Sequence, residues 1–308
     1  MKIIFMGTPE FAVSSLKALI ESDHEVIAVI AQPDKPKGRG RKLAPQPTKI
    51  LAEEHNILVI QPEKVRTEEF LSELQDLSPD LICVTAYGKI LPKSILELPE
   101  HGCINVHASL LPKYRGAAPI NWAIVRGETQ TGITTMLMDE GMDTGDMLLK
   151  KEIQIEDEDD AGSLSEKLSQ LGGDLLLETI SHLEQGKLTP SKQDESQATH
   201  APMLKKSDGE IKWDKSAQEL WNLIRGMNPW PGTFTNLENK SLKIYKAKLV
   251  DGVGRPGEVL DSDPGALIVS TGEGALEILE LQLEGSKRMD IKSFLSGRKI
   301  EKGTILGN

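Results

Sequence analysis

The sequence predicts an α/β fold, a Rossmann-like, doubly wound, mostly parallel sheet followed by a small C-terminal barrel of the OB type. Three observations predict it. Strand-length apolar runs without alternation, such as KIIFMG and DLICVTA, recur along the N-terminal half. Patterns with helical periodicity lie between them, as parallel crossovers require. Beyond residue 207 the texture changes to short alternating strands separated by turn residues.

The elements follow in order. KIIFMG reads as a buried strand, and Thr8-Pro9 supplies an N-cap and a first-turn proline for the helix EFAVSSLKALIES. EVIAVIAQ (strand), PTKILAEEHN (helix), ILVIQ (strand) and EEFLSELQDL (helix) come next, then the strands DLICVTA and GCINVH around a short helix near PKSILEL. The acidic run EDEDD suits a solvated loop, and the helical pattern SLSEKLSQLGGDLLLETISHLEQG is interrupted by Gly172-Gly173. Residues 188–206 are polar and suit a linker, which divides the chain into segments 1–187 and 207–308. The second segment holds EIKW, the helix SAQELWNLIRGM, the breaker NPWPG, and five strand candidates: TFTNL, KSLKIYKAKLV, GEVLDSD, ALIVST and ALEILELQL. One late helix near IKSFLSG completes the pattern of a five-stranded Greek-key barrel.

A chain of 308 residues is long for one core and comfortable for two domains. With 38% hydrophobic and 27% charged residues it suits a soluble globular protein rather than a disordered one. A net charge of −11 argues on its own against a nucleic-acid partner. The charge is uneven, however: residues 205–308 hold 16 basic and 15 acidic side chains, and the other 204 hold 20 and 32. Cys83 and Cys103 sit in apolar runs without metal-ligand spacing and read as reduced core thiols. The chain opens directly into a strand and has no run of 18 apolar residues, so a cytoplasmic protein without membrane contact is expected.

In doubly wound sheets ligands sit outside the carboxyl ends of strands, which points to the tails MGT, TAYG and NVHAS. The first loop, GTPEFA, lacks the closely spaced glycines that let backbone approach a pyrophosphate, so NAD is not expected. Asn105 and His107 stand at i and i+2 on one strand, so both side chains leave the same face. An amide donor beside an imidazole suits a carbonyl oxygen that becomes negative during acyl transfer; a polar pair bracing a loop would have the same spacing. Asp143 lies among glycines in MDEGMDTGDM, whose acid spacing does not match a calcium loop, and no metal is expected. A carboxylate facing a histidine favours positive charge on the ring and can receive a proton from an attacking amine.

The run NVHASLLPKYRGAAP, followed further on by DEGMDTGD, resembles the signature of the 10-formyltetrahydrofolate-dependent formyltransferases. The resemblance implies that Asn105, His107 and Asp143 are the catalytic trio and that Ser109, Leu110, Leu111 and Pro112 lie at the folate site. TAYGKILP resembles the loop walling the pterin pocket in that family, which implies the same role for Ala86, Tyr87, Gly88, Ile90 and Leu91. It further implies 10-formyltetrahydrofolate as co-substrate, with direct transfer of the formyl group to an amine.

The identity of the amine rests on QPDKPKGRGRKLAPQP. Here Lys35, Lys37, Arg39, Arg41 and Lys42 face the single acid Asp34, in a stretch whose prolines and glycines oppose a helix or strand. A flexible solvated loop is one account; its place after the second strand, at the ligand-bearing edge, suits a phosphate-bearing substrate. The stretch resembles the insertion carried by the branch of the family that formylates the methionyl group of initiator tRNA, and MGTPEFA and NPWPG extend the match. That resemblance implies a role in translation initiation and an OB-like segment that also touches tRNA; a monomer is expected. Lys205, Lys206, Lys246 and Lys248 are the candidate contacts there; Lys246 and Lys248 share strand parity, and Lys243 lies on the same strand. A glycinamide ribonucleotide formyltransferase would need neither the basic insertion nor the extra domain. A sugar-nucleotide formyltransferase, or a non-catalytic RNA-binding module, are the other readings.

Overall fold

The computed structural model describes residues 1–37, 42–262 and 265–307. It forms two compact units: Met1–Pro119 with Gln130–Gln154 and Ser165–Pro202, and Ile120–Thr129 with Ile155–Leu164 and Met203–Asn308.

In the first unit the chain runs β1 (Lys2–Gly7), a 3-10 turn, α1 (Val13–Ile20), β2 (Glu25–Ile30), β3 (Lys35–Lys37), β4 (Lys42–Ala44), α2 (Pro47–Glu54), β5 (Leu58–Ile60), α3 (Glu68–Leu77), β6 (Leu81–Thr85), α4 (Lys93–Leu96), β7 (Cys103–His107) and β8 (Arg115–Gly116). After α5 (Pro119–Val125), which from Ile120 on belongs to the second unit, come β9 (Gln130–Leu137), β10 (Met147–Gln154), α6 (Ala161–Glu184, in the first unit from Ser165) and β11 (His200–Ala201). The main sheet has the order β10-β9-β7-β6-β1-β2-β5. Its five-strand core is parallel, and β9 and β10 extend it antiparallel beyond β7. The centre is apolar on both faces: Ile3, Ile4, Phe5 and Met6 are all fully buried. One face packs Ile4, Met6, Ile82, Val84 and Cys103 against Phe70 and Leu74 of α3, Ile95 and Leu96 of α4, and Tyr87 and Leu91.

The sequence elements reappear with four informative differences. Thr8 does not cap the first helix; its hydroxyl instead accepts the Gln32 backbone N–H at 3.1 Å, tying the loop after β1 to the loop after β2. Gly172-Gly173 do not interrupt α6. A Cβ on Gly172 would lie 3.0 Å from Val106 Cγ1, and one on Gly173 would lie 2.9 Å from the Ser14 carbonyl oxygen. These glycines allow close approach to β7 and α1 at a cost in helix propensity. Gly173→Ala is therefore expected to destabilise the fold. The clash is with backbone, and overpacking of about 1–3 kcal/mol outweighs the roughly 1 kcal/mol that alanine gains in a helix; a lower denaturant midpoint would register it.

The third difference lies in the basic stretch, where β3 and β4 pair antiparallel: Lys35 with Ala44, Pro36 with Leu43 and Lys37 with Lys42. The prolines and glycines do not prevent strands here. A two-stranded ribbon consists of edges, and proline is tolerated on an edge. Arg39 and Arg41 lie outside the described residues. The fourth concerns residues 188–206, read as a linker. Within them β11 pairs parallel with β8, and Ser191 bridges Met147.

The second unit contains α7 (Ala217–Gly226), β12 (Thr233–Leu237), β13 (Lys240–Val250), β14 (Val259–Asp261), β15 (Ile268–Ser270), β16 (Ala275–Leu283), β17 (Met289–Asp290) and α8 (Ile291–Gly297). Its sheet follows β12-β13-β16-β15-β14, with β17 also on β16. Ser216 and Glu219 form a capping box at the start of α7, which ends just before the NPWPG breaker. Leu220 and Ile224 of α7 and Phe294 of α8 cover the apolar face of the sheet, with Trp213 in the same core. EIKW is not a strand; it contributes an isolated bridge from Glu210 to Phe234.

Candidate active site

β7 lies between β6 and β9, and all five of its residues are buried. Val106 meets Gly172 of α6 on one face. Cys103 belongs to the core on the other face, with Tyr87 and Leu91. Strand alternation therefore sends Asn105 and His107 to the face that carries the TAYGKIL segment.

Asn105 is 8% exposed, and among the described residues its side-chain amide has no hydrogen-bond partner. His107 is 6% exposed, and its Nε2–H donates to the Tyr114 carbonyl at 3.0 Å. A carbonyl only accepts, which assigns the proton to Nε2 and leaves Nδ1 as the nitrogen that can gain or lose one. Nδ1 faces Asp143 Oδ1 at 3.7 Å, while Asp143 Oδ2 accepts the Gly116 backbone N–H at 2.8 Å.

Asp143 sits in the loop joining β9 and β10. Other acids of that loop do structural duty: Asp139 Oδ1 accepts from Gly141 N at 3.0 Å and from Thr144 Oγ1 at 2.7 Å. Asp143 itself has φ of 56°, left-handed for a residue with a side chain. Such a conformation costs on the order of 1–3 kcal/mol and persists only where its surroundings over-determine it.

The SLLP loop is held by buried hydrogen bonds. Thr134 Oγ1 donates to the Ser109 carbonyl at 2.7 Å and accepts Leu111 N–H at 3.1 Å; Ser109 Oγ donates to the Lys113 carbonyl at 2.6 Å. Ser109 and Leu111 are buried, Leu110 and Pro112 half-buried, and Lys150 Nζ donates to the Leu111 carbonyl. Burial lowers the Lys150 ammonium from its ordinary pKa.

In the next segment Ala86, Gly88 and Ile90 are exposed, whereas Tyr87 and Leu91 are buried in the core. Burial pushes the Tyr87 phenol up to about 12. The Tyr87 carbonyl accepts from Gln32 Nε2 at 2.7 Å, and Gln32 Oε1 accepts from Lys35 Nζ at 2.9 Å. One glutamine thus joins the base of the basic ribbon to the TAYG loop. Asp34, the single acid of that stretch, accepts from Lys49 Nζ at 2.9 Å and Gln61 Nε2 at 2.8 Å, which hold its carboxyl below the usual range.

In the second unit Lys205, Lys206, Lys243, Lys246 and Lys248 are exposed. Lys248 pairs with Glu277 at 2.8 Å, and Lys246 stands opposite Glu280. The register of β13 on β16 shifts on both sides of Lys246, so simple parity does not govern this stretch.

Sequence reasoning missed Gln193, Arg115 and Thr134. Gln193 Nε2 donates to the carbonyls of Asp143 and Gly145, both at 2.8 Å, and Arg115 Nε donates to Gln193 Oε1 at 2.9 Å. Arg115 lies inside the signature run, but what marks it out is the burial of a charged side chain, which only the structure shows. Gln193 lies in a polar stretch with no periodicity.

A polar pair at the end of a parallel strand, with a carboxylate facing the ring, can assist acyl or proton transfer. The family model described as Formyl transferase matches residues 1–180, and that described as Formyl transferase, C-terminal domain, matches residues 203–299. The chain belongs to the formyl transferase family. It is 57% identical over 309 residues to a methionyl-tRNA formyltransferase of Caldanaerobacter subterraneus subsp. tengcongensis, covering 99% of this chain and 100% of that protein. It is 54% identical over 308 residues to a methionyl-tRNA formyltransferase of Geobacter metallireducens, covering 100% of this chain and 99% of that one. A crystal structure of a sugar 3N-formyl transferase, with dTDP and 5-N-formyl-THF present, superposes with a TM-score of 0.69 at 21% identity, over 93% of this chain and 99% of that one. That likeness shows the shared fold of formyl transferases: an α/β sheet-plus-helix architecture with a Rossmann-like first part.

Proposed function

We infer that this chain transfers the formyl group of 10-formyltetrahydrofolate to the amino group of methionyl-initiator tRNA, giving the N-formylmethionyl-tRNA used in translation initiation. Near-full-length identity above 50% to methionyl-tRNA formyltransferases supports the acceptor. The observation that carries the chemistry is the Asn105 side-chain amide, on a largely buried strand residue and with no protein partner among the described residues, two strand positions from His107. An amide held by a rigid strand and left open in this way is available to a ligand oxygen.

The co-substrate brings a formyl carbon bonded to nitrogen. The amine adds to that carbon, the new C–N bond forms, the old one breaks, and a proton passes from the amine to the departing nitrogen. Asn105 donates a hydrogen bond to the carbonyl oxygen as it becomes negative. His107, anchored through Nε2–H, presents Nδ1 toward the reaction side and supplies positive charge there when protonated. Asp143 faces that nitrogen, stabilises its charge and serves as the base that receives the amine proton. Ser109, Leu110, Leu111 and Pro112, with the segment Ala86, Tyr87, Gly88, Ile90 and Leu91, hold the folate.

The matched spans 1–180 and 203–299 support a catalytic segment 1–187, a connecting stretch 188–206 and an OB-like barrel over 207–308. The barrel reading also draws on the antiparallel sheet capped by α8. The basic ribbon, with Lys35, Lys37, Arg39, Arg41 and Lys42, reads the tRNA, helped by Lys205, Lys206, Lys246 and Lys248. The single acid of the stretch, Asp34, is paired to Lys49, and clustered cations of this kind suit phosphate.

Purified protein given 10-formyltetrahydrofolate and methionylated initiator tRNA is expected to formylate the methionyl amine. Formylation of a free ribonucleotide amine with none on Met-tRNA would overturn the acceptor assignment. Arg39→Ala is expected to raise KM for Met-tRNA and to flatten the salt dependence by about 0.7–0.9 in log–log slope for each phosphate that is no longer neutralised. Folate affinity should stay unchanged.

A further inference from the structure

We propose that Gln193, oriented by Arg115, is a positioning residue for formyl transfer: it clamps the left-handed backbone around Asp143 so that the carboxylate meets His107. The inference rests on the reading that Asp143 acts at His107.

Each polar group of the Gln193 amide is committed. Its Nε2 donates to the carbonyls of Asp143 and Gly145 at 2.8 Å each, bracketing the loop on both sides of Thr144. Its Oε1 accepts from Arg115 Nε at 2.9 Å. A guanidinium can only donate, so Arg115 fixes which end of the amide faces it and turns the two donors toward the loop. Arg115 is itself immobilised: its side chain is 4% exposed, and its terminal nitrogens grip Glu195 at 2.9 and 2.7 Å. That pairing holds the guanidinium above its ordinary pKa, so it stays charged and remains a donor.

The arrangement references both members of the His–Asp pair to one tripeptide. The Tyr114 carbonyl receives His107 Nε2–H, the Arg115 side chain orients Gln193, and the Gly116 N–H donates to Asp143 Oδ2. The stretch carrying Gln193 then returns to the same tripeptide. Tyr114 N–H donates to Thr199 Oγ1 at 2.9 Å, Arg115 N–H donates to the Thr199 carbonyl at 2.9 Å, and β11 pairs with β8. Asp143 occupies a left-handed conformation at φ of 56°. Without the Gln193 bonds the loop loses what holds it there, and the carboxylate is free to turn away from Nδ1.

Two variants test this. Gln193→Glu keeps the volume and the contact to Arg115 but removes both donors; Gln193→Met keeps the length and removes every polar group. Each is expected to lower kcat roughly 10–100-fold, the effect of misplacing a reacting group by about 1 Å. KM for folate and for Met-tRNA should stay unchanged, while Tm falls modestly because the Asp143 and Gly145 carbonyls lose their donor. The deciding readout is the same pair of substitutions in an Asp143→Asn background. There the further loss is expected to stay within about threefold, because Gln193 acts only through the carboxylate. Equal losses in both backgrounds, or no loss in the native one, would overturn the proposal. If Asp143→Asn alone leaves the rate intact, the reading of Asp143 fails, and this inference falls with it.

Discussion

Asn105→Ala is expected to lower the turnover of formyl transfer by roughly 10²–10³, equivalent to about 3–4 kcal/mol of transition-state stabilisation. The expectation follows from the environment of the amide rather than from its residue type. Asn105 is 8% exposed and makes no hydrogen bond to the protein among the described residues, so its truncation orphans no internal partner. Removing a buried group usually costs stability because the group left behind loses its match; in the proposed mechanism the match of this amide is the substrate. The loss should therefore fall on kcat, with KM for the folate little changed and the denaturation midpoint close to that of the unmodified protein. A fall in rate of less than about tenfold would mean that the carbonyl oxygen is held elsewhere.

Much of this site can be read before the structure, and the reason is local. A parallel strand buried on both faces is a continuous apolar run, so CINVH announces itself, and its polar members at i and i+2 must share a face. The position of Asp143 is different in kind. Nothing in its spacing from residue 107 brings the two together; the resemblance to a family signature did so, and the geometry then supplied the 3.7 Å approach. Gln193 was out of reach for both routes. It acts on a residue 50 positions away through its backbone, and its surroundings read as an unstructured polar connection. The basic ribbon failed as a structural expectation for a physical reason. Proline and glycine signal breaks for strands inside sheets, whereas β3 and β4 form an isolated pair with nothing to interrupt. Lys246 shows the same limit on a smaller scale: parity arguments assume an unbroken register, and the register shifts at that residue.

Asp143→Asn is expected to reduce kcat by about 10³ while leaving the loop in place. The substitution keeps the volume, and the amide oxygen can still accept the Gly116 N–H that now bonds Oδ2 at 2.8 Å. What disappears is the negative charge facing Nδ1. At 3.7 Å the two groups lie beyond a good hydrogen bond, so the carboxylate acts on the ring mainly through its charge. The pair is poorly screened, with the two side chains 7% and 17% exposed. Full charges about 4 Å apart at an effective dielectric of 20 interact by about 4 kcal/mol, which converts to roughly 10³ in rate if the whole interaction is used in the transition state. The loss of a proton acceptor alone gives a comparable range, about 10²–10⁴. The two contributions separate by chemical rescue. If proton acceptance dominates, added imidazole, a neutral base, restores part of the rate of Asp143→Asn. If charge stabilisation dominates, it gives no recovery, because a neutral base does not replace the missing charge. Single-turnover rates with and without added imidazole, with KM unchanged in both cases, decide between them.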